Sequence, residues 1–189
     1  MNLLKTIFPA LLLTLSAVLF AATGQSTVMP SPKTTPAKTM RATFTQVKTM
    51  RMLGEKMVSK GSMYYEADNK LRWEYTQPYA YTFVMNGHSV MLLKNGRKDI
   101  VDTQHNKVFR EIGRIMTNSL TLSSMQQKKD LTLSKQMQSM YKRITVFFNP
   151  KSHLAERVVM TEKNGDTTEI QLHDVVVDKP VSASLFQIK

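Results

Sequence analysis

A chain of 189 residues with 42% hydrophobic and 21% charged side chains is of single-domain length and carries enough apolar material for a core. It has fourteen methionines, no cysteine, and 26 basic against 14 acidic residues, a formal net charge of +12. The missing thiol excludes disulfides, cysteine nucleophiles and cysteine-ligated metals.

In chain order, Lys5 precedes an apolar run from Ile7 to Phe20, and small residues follow in AATGQ. This is the pattern of a secretory signal peptide over residues 1–24, too short for the ~20 apolar residues a membrane-spanning helix needs. Export with cleavage after Gly24 is the expectation. Residues 25–38, QSTVMPSPKTTPAK, are rich in Pro, Ser, Thr and Lys and read as a flexible tether. The folded domain is expected over 39–189.

From there the chain reads as β. Residues 40–48, 58–67, 70–77, 80–86, 88–94, 97–102, 141–149, 154–163 and 167–177 are short runs rich in β-branched and aromatic side chains. Asn86-Gly87, Asn95-Gly96 and Asn164-Gly165 fall between such runs and predict tight hairpins in an antiparallel meander. One segment differs: Phe109, Ile112, Ile115, Met116 and Leu120 recur at helical spacing and predict a helix lying across the sheet. Residues 122–130 read as a loop and 131–138, LTLSKQMQ, as a further strand.

Several strands are apolar on both faces. Tyr81, Phe83 and Met85 oppose Val84, and Met91 and Leu93 oppose Val90 and Leu92, so something besides solvent must cover the second face. Two readings account for this: a closed core between a curled sheet and the helix, or a cavity lined in part by adaptable methionines. In KLRWEYTQP the period of two sends Leu71, Trp73 and Tyr75 to one face and the solvated pair Arg72 and Glu74 to the other.

No catalytic, metal or cofactor site is expected. His88, His105, His153 and His173 are scattered without ligand spacing, and no G-x-S-x-G elbow or marked acid pair is present. The basic excess suits either a soluble surface or steering toward anionic headgroups or an acidic partner face. With export expected, nucleic acid is not a partner.

ATFTQ at 42–46, the Gly61 strand followed by KLRWEYTQP, FVMNG at 83–87 and the closing VVVDKPVSASLFQI resemble the outer-membrane lipoprotein carrier (LolA-like) family, in the same order over roughly residues 39–188. The resemblance implies a mainly β fold, an unclosed antiparallel β-half-barrel with a helical lid over a hydrophobic cavity. It implies a monomeric, non-enzymatic periplasmic carrier that takes acylated lipoproteins from an inner-membrane ABC-type releasing complex to an outer-membrane acceptor. The chain departs from the family in having the tether where carriers open with an amphipathic helix. It also has Glu66-Ala67-Asp68 where they carry a lid-controlling arginine. A membrane-coupled lipid or lipoprotein sensor and a glycolipid-binding transport protein of the same fold are the alternatives. Strand parity and helical spacing select Leu71, Trp73, Tyr75, Phe83, Met85, Met91 and Leu93, with Ile112, Ile115 and Met116 from the helix, as the acyl-cavity lining.

Overall fold

The computed structural model describes residues 37–103, 124 and 126–188. The expected signal segment, most of the tether and the helix expected at 109–120 lie outside these residues.

Among the described residues ten antiparallel strands form one sheet: β1 (Thr39–Met50), β2 (Glu55–Glu66), β3 (Lys70–Gln77), β4 (Tyr81–Asn86), β5 (Ser89–Lys94), β6 (Arg97–Asp102), β7 (Lys128–Asp130), β8 (Tyr141–Phe148), β9 (Ala155–Glu162) and β10 (Thr167–Val177). Their spatial order is β6-β5-β4-β3-β2-β1-β10-β9-β8-β7. β6 and β7 do not meet, so the sheet is an unclosed half-barrel. The first and last long strands are neighbours at its centre, with Phe44 opposite Leu172 and Gln46 opposite Ile170.

The turns show which local signals governed the hairpins. Asn95 and Gly96 both adopt left-handed backbone, with φ of 52° and 76°, as a two-residue hairpin turn requires. At Asn86-Gly87 only the glycine does so, because Asn86 is the last residue of β4. The β2–β3 connection uses Asp68 and Asn69 at φ 69° and 62°, a pair whose short polar side chains tolerate this region.

Two local expectations are corrected. Within residues 131–138, expected as a strand, a short helix α1 (Lys135–Met140) begins instead. Ser134 caps it by accepting from the Met137 N–H at 3.4 Å, and the unbranched Lys, Gln and Met side chains that follow are good helix formers. Within the expected loop at 122–130, Lys128–Asp130 pairs with Thr145–Phe147 as the edge strand β7. Three exposed polar residues carry no strand pattern.

The core is one continuous cluster on the concave face, from Val90 and Leu92 on β5 across to Ile144, Val146 and Phe148 on β8. The convex face has its own cover: a 3-10 turn (Ala183–Phe186) packs against β3 and β4. Phe186 is buried there, as is Val84. Arg72 donates through Nη1 to the Leu185 carbonyl at 3.4 Å and Asn86 through Nδ2 to the Phe186 carbonyl at 3.1 Å. Arg72 also pairs with Glu74 two residues along the same strand, at 2.8 Å. The double-sided apolar character of β4 thus has a physical cause, since each face meets a different part of the chain.

Candidate functional site: an apolar concave face

The face is built by register. Leu71, Trp73 and Tyr75 on β3 stand opposite Met85, Phe83 and Tyr81 on β4, and on the other side Met63 and Tyr65 of β2 stand opposite Trp73 and Leu71. β1 adds Met40, Ala42 and Phe44 from the alternation in ATFTQ. Directly opposed side chains share a face, so these residues form one apolar surface. Val158, Met160, Ile170 and Leu172 extend it across β9 and β10. Among the described residues, α1 and the segment before it also pack into this cluster, through Leu133 and Met137.

An aromatic group sits at the middle. Phe44 stacks on Trp73 with centroids 4.2 Å apart and meets Tyr75 edge-on at 5.2 Å. Tyr75 in turn lies 6.1 Å from Tyr81. The stack depends on Gly61, which lies opposite both Phe44 and Tyr75. A Cβ there would come within 1.9 Å of the Glu74 carbonyl oxygen and 2.7 Å of Phe44 Cζ. Only a residue without a side chain fits.

Toward the β1–β2 turn the same face becomes polar. Gln46, Lys48, Ser59 and Thr168 are buried in it. The Tyr75 hydroxyl donates to Gln46 Oε1 at 2.9 Å, and Lys48 Nζ meets Glu162 Oε1 at 3.1 Å. Burial pushes the Tyr75 phenol up to about 12, with the neighbouring Trp73 indole and Gln46 pulling the other way. Burial also raises Tyr81, with Tyr75 and Asp99 adding to it, and raises Tyr141 beside Glu162. These phenols therefore stay neutral at physiological pH. Among the described residues the Ser59 and Tyr81 hydroxyls have no hydrogen-bond partner, and the Trp73 indole N–H, though close to Tyr75, makes no bond of good geometry. The face is apolar along most of its length and carries hydrogen-bonding groups at one end. Among the described residues no group of three or more acidic or histidine side chains is placed to hold a metal.

Of the residues selected from the sequence, Leu71, Trp73, Tyr75, Phe83 and Met85 share this face. Met91 and Leu93 do not: they stand opposite Val84 and Thr82, on the convex side. The reason is the two-residue β4–β5 turn, which pairs Met85 with Val90 and Phe83 with Leu92. Odd-numbered residues of β4 therefore share a face with even-numbered residues of β5. Ile112, Ile115 and Met116 lie outside the described residues. The selection omitted Phe44, Met63, Val90 and Leu92, although the alternation of ATFTQ and the spacing of the β2 run carried the signal for the first two.

Residues 35–189 match the family of the outer membrane lipoprotein carrier protein LolA. No curated protein matches the sequence. Among solved structures, a LolA superfamily protein from Nitrosomonas europaea is similar at 7% identity, with 82% of this chain and 92% of that one covered and a TM-score of 0.48. A putative outer membrane lipoprotein-sorting protein domain from Vibrio parahaemolyticus is similar at 12% identity, covering 78% and 88%, with a TM-score of 0.45. A DUF1329 family protein from Desulfovibrio piger aligns at 10% identity over 80% and 90%, with a TM-score of 0.43. The family match spans the whole described sheet, and the chain belongs to the LolA outer membrane lipoprotein carrier family.

Proposed function

We propose that the protein is a periplasmic carrier that shields the acyl chains of lipoproteins between the inner and outer membranes. The observation that carries this reading is the continuous apolar concave face, from β5 to β8, in a chain of this family. At ~0.8 kcal/mol per buried CH₂, one long acyl chain costs on the order of 10 kcal/mol to expose to water, so an unescorted lipoprotein stays in its membrane. Non-directional contact with leucine, valine, methionine and aromatic side chains offsets that cost without fixing chain length or saturation. The same lack of direction lets an acceptor of matching apolarity take the cargo. Loading from an ABC-type releasing complex and delivery to an outer-membrane acceptor complete the proposed cycle. No bond-making step is part of it.

The test is mass spectrometry of what co-purifies with the mature protein from its native periplasm. Diacylated or triacylated lipoproteins are the expected cargo. Free phospholipids or glycolipids alone would replace this reading with lipid transport. An empty protein that still engages a membrane regulator would replace it with lipid sensing.

A further inference from the structure

The β1–β2 turn, residues 51–54, lies at the polar end of the concave face. Its base is fixed: the Arg51 N–H donates to Asp166 Oδ1 at 2.9 Å, and the Leu53 N–H donates to the Met50 carbonyl at 3.2 Å. Gly54, at φ 66°, completes the reversal, and nothing lies within 4 Å of where its Cβ would be. The tip stands clear of the body.

Two adjacent apolar side chains occupy that tip. Met52 is 89% exposed and Leu53 61%, and Val58 on the following strand is 51% exposed. Single exposed apolar residues are ordinary, but a Met-Leu pair on an anchored turn is a patch directed away from the core. Arg51, Lys56 and, from the adjacent β9–β10 turn, Lys163 are exposed around it. They outnumber the acidic Glu55 and Asp166.

We propose that this turn is a membrane-docking wedge: Met52 and Leu53 enter the headgroup and upper acyl region of an anionic phospholipid bilayer while the surrounding cations meet the lipid phosphates. The chemistry fits a lipid surface because an apolar tip ringed by basic side chains matches the interface in both layers, apolar below and anionic above. A +12 chain would also be drawn toward such a surface before contact. This proposal is independent of whether the concave face holds acyl chains.

The absence of cysteine allows one environment-sensitive fluorophore to be placed at Met52→Cys and, as a reference, at Lys151→Cys in the exposed β8–β9 turn at the opposite end. Vesicles of phosphatidylcholine and phosphatidylglycerol in equal parts should shift the emission at position 52 to the blue and leave position 151 unchanged. Added salt should weaken the response, and vesicles of phosphatidylcholine alone should bind more weakly. The double variant Met52→Ser, Leu53→Ser, altered only at exposed positions, should lose affinity about tenfold, or ~1.4 kcal/mol. The proposal is overturned if the chain binds vesicles without a change at position 52 or if both positions respond equally. It also falls if binding is absent, is indifferent to lipid charge, or survives the double substitution.

Discussion

The Phe44 and Trp73 rings lie 4.2 Å apart in a stack that joins the central strand β1 to β3 across the intervening β2. Trp73 is the only tryptophan in the chain, so its emission reports on the concave face alone. Acyl chains brominated along their length should quench it on binding, whereas water-soluble quenchers should act poorly on a residue 2% exposed. Trp73→Ala should lower unfolding stability by ~3–5 kcal/mol, the usual cost of truncating a core aromatic. Brominated chains that bind without quenching would place their site elsewhere.

Gly61→Ala should destabilise the protein by about 1–3 kcal/mol or more, as overpacking does. The added methyl meets backbone at Glu74 as well as the Phe44 ring, and backbone cannot step aside as a side-chain end can. Gly54→Ala provides a contrast: space is open there, and the cost comes only from its left-handed backbone, about 1 kcal/mol. Thermal unfolding of the two variants should rank them in that order.

Glu162→Gln should cost about 1–3 kcal/mol by leaving the buried Lys48 ammonium without its anionic partner. Lys48→Met should cost less, because it removes the buried charge and keeps the aliphatic stem that packs on the sheet. Chemical denaturation of the single and double variants would separate the pair's coupling from the desolvation of each charge. Equal losses for the two single variants would contradict this assignment.

Alkaline pH should unfold the protein through its buried phenols. The unfolded Tyr75 phenol ionises near its ordinary 10.0, while the folded one is held up to about 12. Below pH 10 both states keep the proton and stability is at its full value. Between pH 10 and 12 only the unfolded state loses it, so stability falls by ~1.4 kcal/mol per pH unit for this group. The raised Tyr81 and Tyr141 phenols act with the same sign. Denaturation midpoints across that range should fall steeply, and Tyr75→Phe should flatten the slope while losing the Gln46 bond.

The sequence showed the strands well because most alternate or carry β-branched runs, and the Trp73 row could be placed on one face from its period of two. It showed the faces of β4 and β5 poorly. Both sides of these strands are apolar, so hydrophobicity could not choose between Met91 and Leu92, and parity can be carried across a hairpin only when the turn length is known. For β4 the cause of that ambiguity lies about a hundred residues away, in the turn of Phe186, which packs on its convex side. β7 was missed for the opposite reason: Lys128, Lys129 and Asp130 are all exposed, and an edge strand with no buried face leaves no pattern. The helix in LTLSKQMQ was signalled by the serine cap rather than by periodicity.

The pairing of β1 with β10 also sets an order of events during synthesis. Thr45 and His173, in contact across this seam, are 128 residues apart in the chain. A chain emerging from its N-terminus can form the β1-to-β6 meander early, since each hairpin closes locally, but one side of β1 then waits for the last described strand to arrive. Until it does, β1 presents a long open edge flanked by apolar residues, which is a template for wrong pairing. The nascent protein is therefore at its most vulnerable in the interval before β10 joins, and its final third completes the fold by sealing the centre.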